Sequence, residues 1–329
     1  MFLAEKSTSP LSFLLFVPSK NSLPSPSLLF DQALVARLRS LHPIPSSPFS
    51  IPLSWLSRAV DLLAFTLADA ATAAALISDP SLPGSDRDAI AAHLDSGISL
   101  LDACNAVAAH IDRHRRRLLL LRFALHLLSS PSSSSDSLYR VHEAIVERDR
   151  IPRHAINDSA GELARSLAPT VTLRGKISVV RRAIYAVEAV SSLVFGAMMA
   201  VLGGGEKADL AGIKISGKFP WAEAFNKVSA AVSDELGEGF TGEVEAVEAS
   251  VRRLAAVMDG EDDGKKMERL RSAVKDAEKA MEEMTDGLDR LSDGVNGLFR
   301  VALRTRDAAL RSFRIGSKSV NRCWKVMEN

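Results

Sequence analysis

The chain has 329 residues, which is long enough for one elongated domain or two compact ones. Hydrophobic residues make up 47% of it but aromatic residues only 5%, a composition that indicates helices rather than β-sheets. The formal net charge of +1 excludes a general polyanion-binding signature, so no nucleic-acid partner is predicted. The two cysteines, Cys104 and Cys323, are too few for a secreted disulfide framework and lack the spacing of metal ligands.

Residues 1–27 are rich in Ser, Pro and Leu and contain a single acid, Glu5. We predict a disordered N-terminal segment here. A plastid transit peptide is the alternative, because such peptides are also rich in Ser and poor in acids. The next two helices are predicted over residues 28–41 and 55–77, and Ser54 stands at the N-cap position of the second.

A longer helix is predicted over residues 85–128. It contains a run of five basic or potentially basic residues, which wrap more than one helical turn and therefore cannot share one face. One interpretation is that the arginines of this run contact anionic lipid or phosphate. The interpretation that we favour is a solvated helix face paired with acids of a bundle. The run consists of Arg113, His114, Arg115, Arg116 and Arg117.

The longest apolar stretch, residues 175–205, is either the core of a bundle or a membrane helix. Between Ala183 and Leu202 the only charged residue is Glu188, and the length suits a helix that crosses a bilayer. Its first half is nevertheless amphipathic, which also fits a bundle. We favour the core helix and keep the membrane helix as the alternative. The residues on which both interpretations rest are Ala183, Val187, Glu188, Val190, Val194, Phe195 and Leu202.

The C-terminal third carries the most regular pattern. Apolar residues step by three and four over residues 244–258 and again over residues 267–302. Because only a short acidic loop separates the two runs, they are predicted to close as an antiparallel hairpin with a heptad seam. Met281 and Met284 lie on this seam and are interpreted as core rather than as an adaptable binding surface. Glycines in the second run are expected to mark close helix contacts or a bend: Gly287, Gly294 and Gly297.

No motif of the sequence predicts catalysis. GIKISGK, residues 212–218, begins like a phosphate-binding loop, but Phe219 stands where a Mg²⁺-binding Ser or Thr is required. GEGFTG, residues 237–242, follows a helical pattern instead of a strand and is interpreted as a turn. We therefore predict no catalytic residue, no metal site, no cofactor and no identifiable small-molecule substrate.

Five stretches of the sequence carry a family resemblance: LSWLSRAVDLLAFTL from Leu53, GISLLDACNAVAAHI from Gly97, KISVVRRAIYAVEAVSSLVFGAMMAVL from Lys176, FPWAEAFNKVSAAVSDEL from Phe219 and GLDRLSDGVNGLFRVALRTRDAAL from Gly287. They resemble the plant BYPASS family, and the match runs in the same order over residues 28–315. The resemblance implies a developmental regulator that restrains a root-derived mobile signal able to arrest shoot growth. It implies no enzymatic activity and no catalytic residue.

These observations predict an all-α, elongated helical bundle with long antiparallel helices, in which helix 176–202 is central. Residues 28–315 form the bundle and residues 316–329 a C-terminal tail. The predicted function is non-enzymatic and exercised through an unidentified protein partner. A membrane-anchored endomembrane scaffold that uses helix 183–202 and the basic cluster 113–117 is the alternative, and an enzyme or carrier for a small apolar metabolite is the third hypothesis. The expected location is the cytosol or an endomembrane surface, with the chloroplast as a further option.

Overall fold

The computed structural model describes residues 25–42, 51–76, 84–129, 135–152, 166–169, 177–203, 214–238, 242–260 and 264–327. These residues form eight α-helices and no strand, which confirms the all-α prediction. Residues 1–24 of the predicted N-terminal segment lie outside the described residues. The same holds for parts of GIKISGK, residues 212–218, and of GEGFTG, residues 237–242. The helices are α1 (Pro26–Leu41), α2 (Leu53–Leu76), α3 (Gly84–Ser129), α4 (Ser135–Arg150), α5 (Val179–Gly203), α6 (Ala222–Glu238), α7 (Glu243–Asp259) and α8 (Lys266–Met327).

The bundle is assembled around α5. Helices α2 and α3 pack on α5, while α8 packs on α2, α3 and α7. Nearly every residue of α5 from Val180 to Gly203 is buried, including its serines and Glu188. Because Ala, Ser and Gly recur along this helix, neighbouring backbones can approach it closely. α5 has the apolar composition of a membrane span, and the other helices of the protein bury it on all sides.

The C-terminal hairpin has the predicted antiparallel form. Arg253 on α7 pairs with Asp276 on α8 at 2.7 Å, and the Lys266 ammonium donates to the Gly260 carbonyl at 2.6 Å across the turn. The seam is buried from Ala277 to Ala302, with Met281 and Met284 inside as expected. The seam prediction is wrong at Met267, which is 54% exposed because it lies in the first turn of α8, beside the loop where α7 has already ended.

The start of α2 differs from the sequence prediction. Leu53, and not Trp55, is the first helical residue, so Ser54 lies inside the helix and is not its N-cap. The Leu53 amide instead donates to the carboxylate of Glu243 at 3.0 Å. A free N–H at a helix start can donate to an acceptor from any part of the fold. The carboxylate at the beginning of α7 thus satisfies the first turn of α2. At the other end of the chain, α8 continues as helix to Met327, through most of the segment predicted as a tail.

A close approach of α2 and α8 depends on Gly287. A Cβ atom at this position would lie 2.7 Å from Cδ1 and 2.9 Å from Cβ of Leu53, which is itself buried. We expect Gly287→Ala to lower the free energy of unfolding by about 1–3 kcal/mol, since one of the two helices must shift. Chemical denaturation of the purified protein measures the change.

Gly297→Ala is the matched control for this prediction. A Cβ atom at Gly297 would meet no heavy atom within 4 Å, so the gain in helix propensity should stabilise the protein by roughly 0.5–1 kcal/mol. Equal unfolding free energies for the two variants would show that α2 and α8 are not in close contact at Gly287.

Candidate functional site

The four arginines of the basic cluster on α3 are dispersed by the fold. Arg117 is buried, Arg113 is half-buried and Arg116 is exposed. Arg115 pairs with Asp289 of α8 at 2.8 Å and with Asp112 at 3.5 Å. The cluster therefore offers no single surface of four cations. Contact with anionic lipid or phosphate remains a prediction, and Arg116 is the member of the cluster that projects into solvent.

Arg117 belongs to a buried ionic cluster that joins three helices. Its guanidinium donates to the carbonyl oxygens of Arg148 at 3.0 Å and Ile151 at 2.7 Å, at the end of α4. It also donates to the carboxylate of Glu248 on α7, at 3.0 Å. Arg148 is only 1% exposed and donates to the same carboxylate at 2.5 Å, and to Asp149 at 2.7 Å. Two buried guanidiniums thus share the carboxylate of Glu248, and the more exposed Asp149 contacts both of them as well.

The ionic cluster has a structural role. Two buried cations that share one carboxylate link α3 and α7 to the end of α4, and the carbonyl bonds of Arg117 satisfy the last turn of α4. A buried charge whose partner is removed is strongly destabilising. The cluster therefore determines how α4 sits on the bundle. Sequence reasoning missed Glu248 and Arg148, since neither carries a local signal.

His114, next to the ionic cluster, satisfies the end of α5. Its Nε2–H donates to the Leu202 carbonyl at 2.7 Å, one of the carbonyls that the last helical turn leaves without an intrahelical donor. Burial lowers the pKa of His114 to about 4, and the neighbouring Arg117 and His110 act in the same direction. The imidazole is therefore neutral at pH 7 and serves as a hydrogen-bond donor. Among the described residues no group of His, Cys, Asp and Glu is arranged to hold a metal ion.

Protein stability should fall in mild acid because His114 stays neutral when folded. Below its ordinary pKa of 6.5 the unfolded chain binds a proton that the folded chain does not, so the free energy of unfolding decreases as the pH falls from about 6.5 to 4. In His114→Gln the side-chain amide can still donate to Leu202 but does not titrate. Melting temperatures of both proteins between pH 7 and pH 4.5 test this, and parallel curves would contradict it.

All seven residues singled out on α5 are buried. Ala183, Val187, Val190, Val194, Phe195 and Leu202 pack in the main core, and Glu188 is 4% exposed. α5 is also the one described helix that is long and apolar enough to cross a membrane, and its apolar window is wholly buried in the bundle. These side chains therefore form a protein core in this structure.

In the described part of the chain, Glu188 and Ser191 of α5 border a small cavity. Glu188 borders a cavity of about 20 Å³ together with His93 and Ser191, and such a volume holds about one water molecule. Burial and the charge of Glu188 raise the pKa of Tyr185. Burial also raises the pKa of the Cys104 thiol to about 12, so it is not a nucleophile at neutral pH. The third hypothesis, a metabolite site, finds no support in these cavities.

Comparison with known proteins finds relatives in plants. The chain is 32% identical over 299 residues to UPF0496 protein 4 of Oryza sativa subsp. japonica, covering 85% of this chain and 64% of the rice protein. It is 30% identical over 321 residues to Protein BPS1, chloroplastic, of Arabidopsis thaliana, covering 90% of this chain and 87% of that protein. The chain thus spans less than two thirds of the rice relative. No family model and no solved structure matches the chain.

Proposed function

The chain belongs to the plant BYPASS family, and from this membership we propose that it regulates plant development by contacting other molecules rather than by catalysis. The observation that carries the proposal is that buried charged and polar side chains bind parts of the bundle itself. Arg117, Arg148, Glu248 and His114 all bind helix ends or one another. These four buried groups hold the bundle together, which favours the surface as the part of the molecule that carries its function.

The specific role that we propose is to restrain a root-derived mobile signal that arrests shoot growth, acting through a protein partner. The resemblance of the sequence supports this role. A plant that lacks the gene for this chain should then show arrested shoots. Mutant shoots grafted onto wild-type roots should recover, while wild-type shoots on mutant roots should arrest. Arrest that follows the genotype of the shoot would contradict the proposal.

A second candidate is an endomembrane scaffold anchored by residues 183–202 with the basic cluster 113–117 at the lipid surface. The length and apolar character of α5 favour it. Such anchoring would require α5 to leave the core, which would expose the faces of α2 and α3 that now pack against α5. We propose a location inside the cell, in the cytosol or at an endomembrane. The chloroplast is the alternative, and the printed name of the Arabidopsis relative includes that compartment.

A further inference from the structure

The exposed face of α3 beyond the basic cluster carries two large apolar side chains. Leu119 is 66% exposed and Phe123 is 42% exposed, and they lie one helical turn apart. Both keep a large exposed area, although both are large enough to be core residues. Exposed apolar side chains at adjacent positions on one helix face are typical of a contact surface.

Cations surround these two side chains. Arg116 and Arg122 lie three residues before and after Leu119, so they flank it on the helix surface. Arg140 of α4 reaches over the ring of Phe123, with its guanidinium carbon 5.6 Å from the ring centroid. None of the three forms an ion pair with an acid among the residues that the structure describes.

Several acids near these arginines are paired with other cations. Asp112 and Asp289 pair with Arg115, and Glu147 pairs with Arg150. Arg116 and Arg122 have no acid within one helical turn on α3 except the paired Asp112, so they remain positive charges that an external anion can neutralise. Arg140 has Asp136 and Glu143 within one turn on α4, so its charge is the most screened of the three. We name the surface of Arg116, Leu119, Arg122, Phe123 and Arg140 the α3–α4 patch.

We propose that the α3–α4 patch docks on the surface of an anionic lipid bilayer. A guanidinium binds a phosphate through two parallel hydrogen bonds, and Leu and Phe side chains between such cations reach the boundary of headgroups and acyl chains. An anionic bilayer presents both partners together over an extended surface. The patch is a ridge on a helical hairpin and requires no pocket in its partner. Docking is peripheral and leaves α5 in the core, which separates it from anchoring through residues 183–202.

A second Arg–Phe pair in the same protein is the internal comparison. Arg37 lies over Phe65 at 5.2 Å from the ring centroid, and Phe65 is 57% exposed. Arg37 is paired with Asp69 at 2.6 Å, however, so the charge of this second arginine is already balanced. If charge complementarity guides docking, substitutions at Phe65 should leave lipid binding unchanged.

Sedimentation of the full chain with vesicles tests the proposal. The vesicles are phosphatidylcholine alone, or phosphatidylcholine with added phosphatidylserine. The chain should bind the second kind and not the first, and added salt should weaken the binding. The triple variant R116Q/R122Q/R140Q should lower the partition coefficient by about a hundred-fold, at about five-fold for each arginine. Phe123→Ser should also lower it, and Phe65→Ser should not.

Circular dichroism of each variant shows whether the bundle is folded, and the exposed positions should tolerate all of these changes. Equal binding to neutral and anionic vesicles would overturn the proposal, as would unchanged binding of the triple variant. No binding to anionic vesicles would also overturn it and would leave a protein as the occupant of the patch. Failure of vesicle binding is independent of the graft result, because that experiment reports on development and not on lipid.

Discussion

Replacing Glu248 with Gln should lower the free energy of unfolding by about 3–5 kcal/mol. The substitution keeps the shape of the side chain but removes its charge, so Arg117 and Arg148 remain buried without the carboxylate to which both donate. Asp149 contacts both guanidiniums, but it is mostly in solvent and replaces little of the lost interaction. Denaturant titration of the purified protein, followed by circular dichroism, measures the loss.

Two further proteins make the Glu248 result specific. Glu245→Gln removes an exposed ion pair with Arg252 on the same helix and should cost less than about 1 kcal/mol. Replacing the buried ionic cluster by Arg117→Met, Arg148→Met and Glu248→Leu should recover most of the stability lost in Glu248→Gln, since no buried charge is then left unpaired and Asp149 is hydrated. A Glu248→Gln protein as stable as the Glu245→Gln protein would show that Glu248 does not neutralise the two arginines.

Replacing Leu291 with Asp should be equally severe, with a loss of at least about 4 kcal/mol. Leu291 has no exposed surface and lies at the middle of the heptad seam of α8, where an unpaired carboxylate cannot be hydrated. The expected observation is a large drop in the denaturation midpoint or a chain that fails to fold.

Leu303→Asp is the control for the seam. It makes the same substitution on the same helix at a residue that is 38% exposed, and it should change the unfolding free energy by no more than about 1 kcal/mol. Should Leu291→Asp melt at the temperature of Leu303→Asp, the placement of Leu291 in the core would be wrong.

The heptad seam and most helix ends follow from local patterns, and these could be predicted. Apolar residues at steps of three and four predicted α7, α8 and their antiparallel turn. This works because the spacing of apolar residues along a helix shows which face is buried. The exposed Met267 departs from the pattern because spacing does not show where a partner helix ends.

Contacts between distant residues could not be predicted. The start of α2 is satisfied by Glu243, 190 residues further along the chain, so the nearby Ser54 was a misleading signal. Arg117 has its carboxylate partner 131 residues away. A basic run on a helix is identical in sequence whether its members face lipid, solvent or a buried acid. Only the packing of α4 on α3 and the bond to Glu248 of α7 separate Arg117 from Arg116.

The apolar helix α5 shows a limit of another kind. A helix buried on all sides by protein and a helix surrounded by lipid tails are both apolar all round, and α5 also has the length of about 20 residues that a membrane span needs. Composition therefore could not choose between them. In the structure, α2 and α3 cover the helix. Glu188 lies inside the protein, where it borders the same small cavity as His93.

Fractionation of the full-length protein from plant cells tests the central placement of α5 most directly. The membrane pellet is washed first in alkaline carbonate, which releases peripheral proteins, and then in detergent. We predict that the protein is either soluble from the start or released by carbonate, because α5 is the core of the bundle and any membrane contact is peripheral. Protein that stays in the pellet until detergent is added would contradict the account, since α5 would then be embedded in lipid.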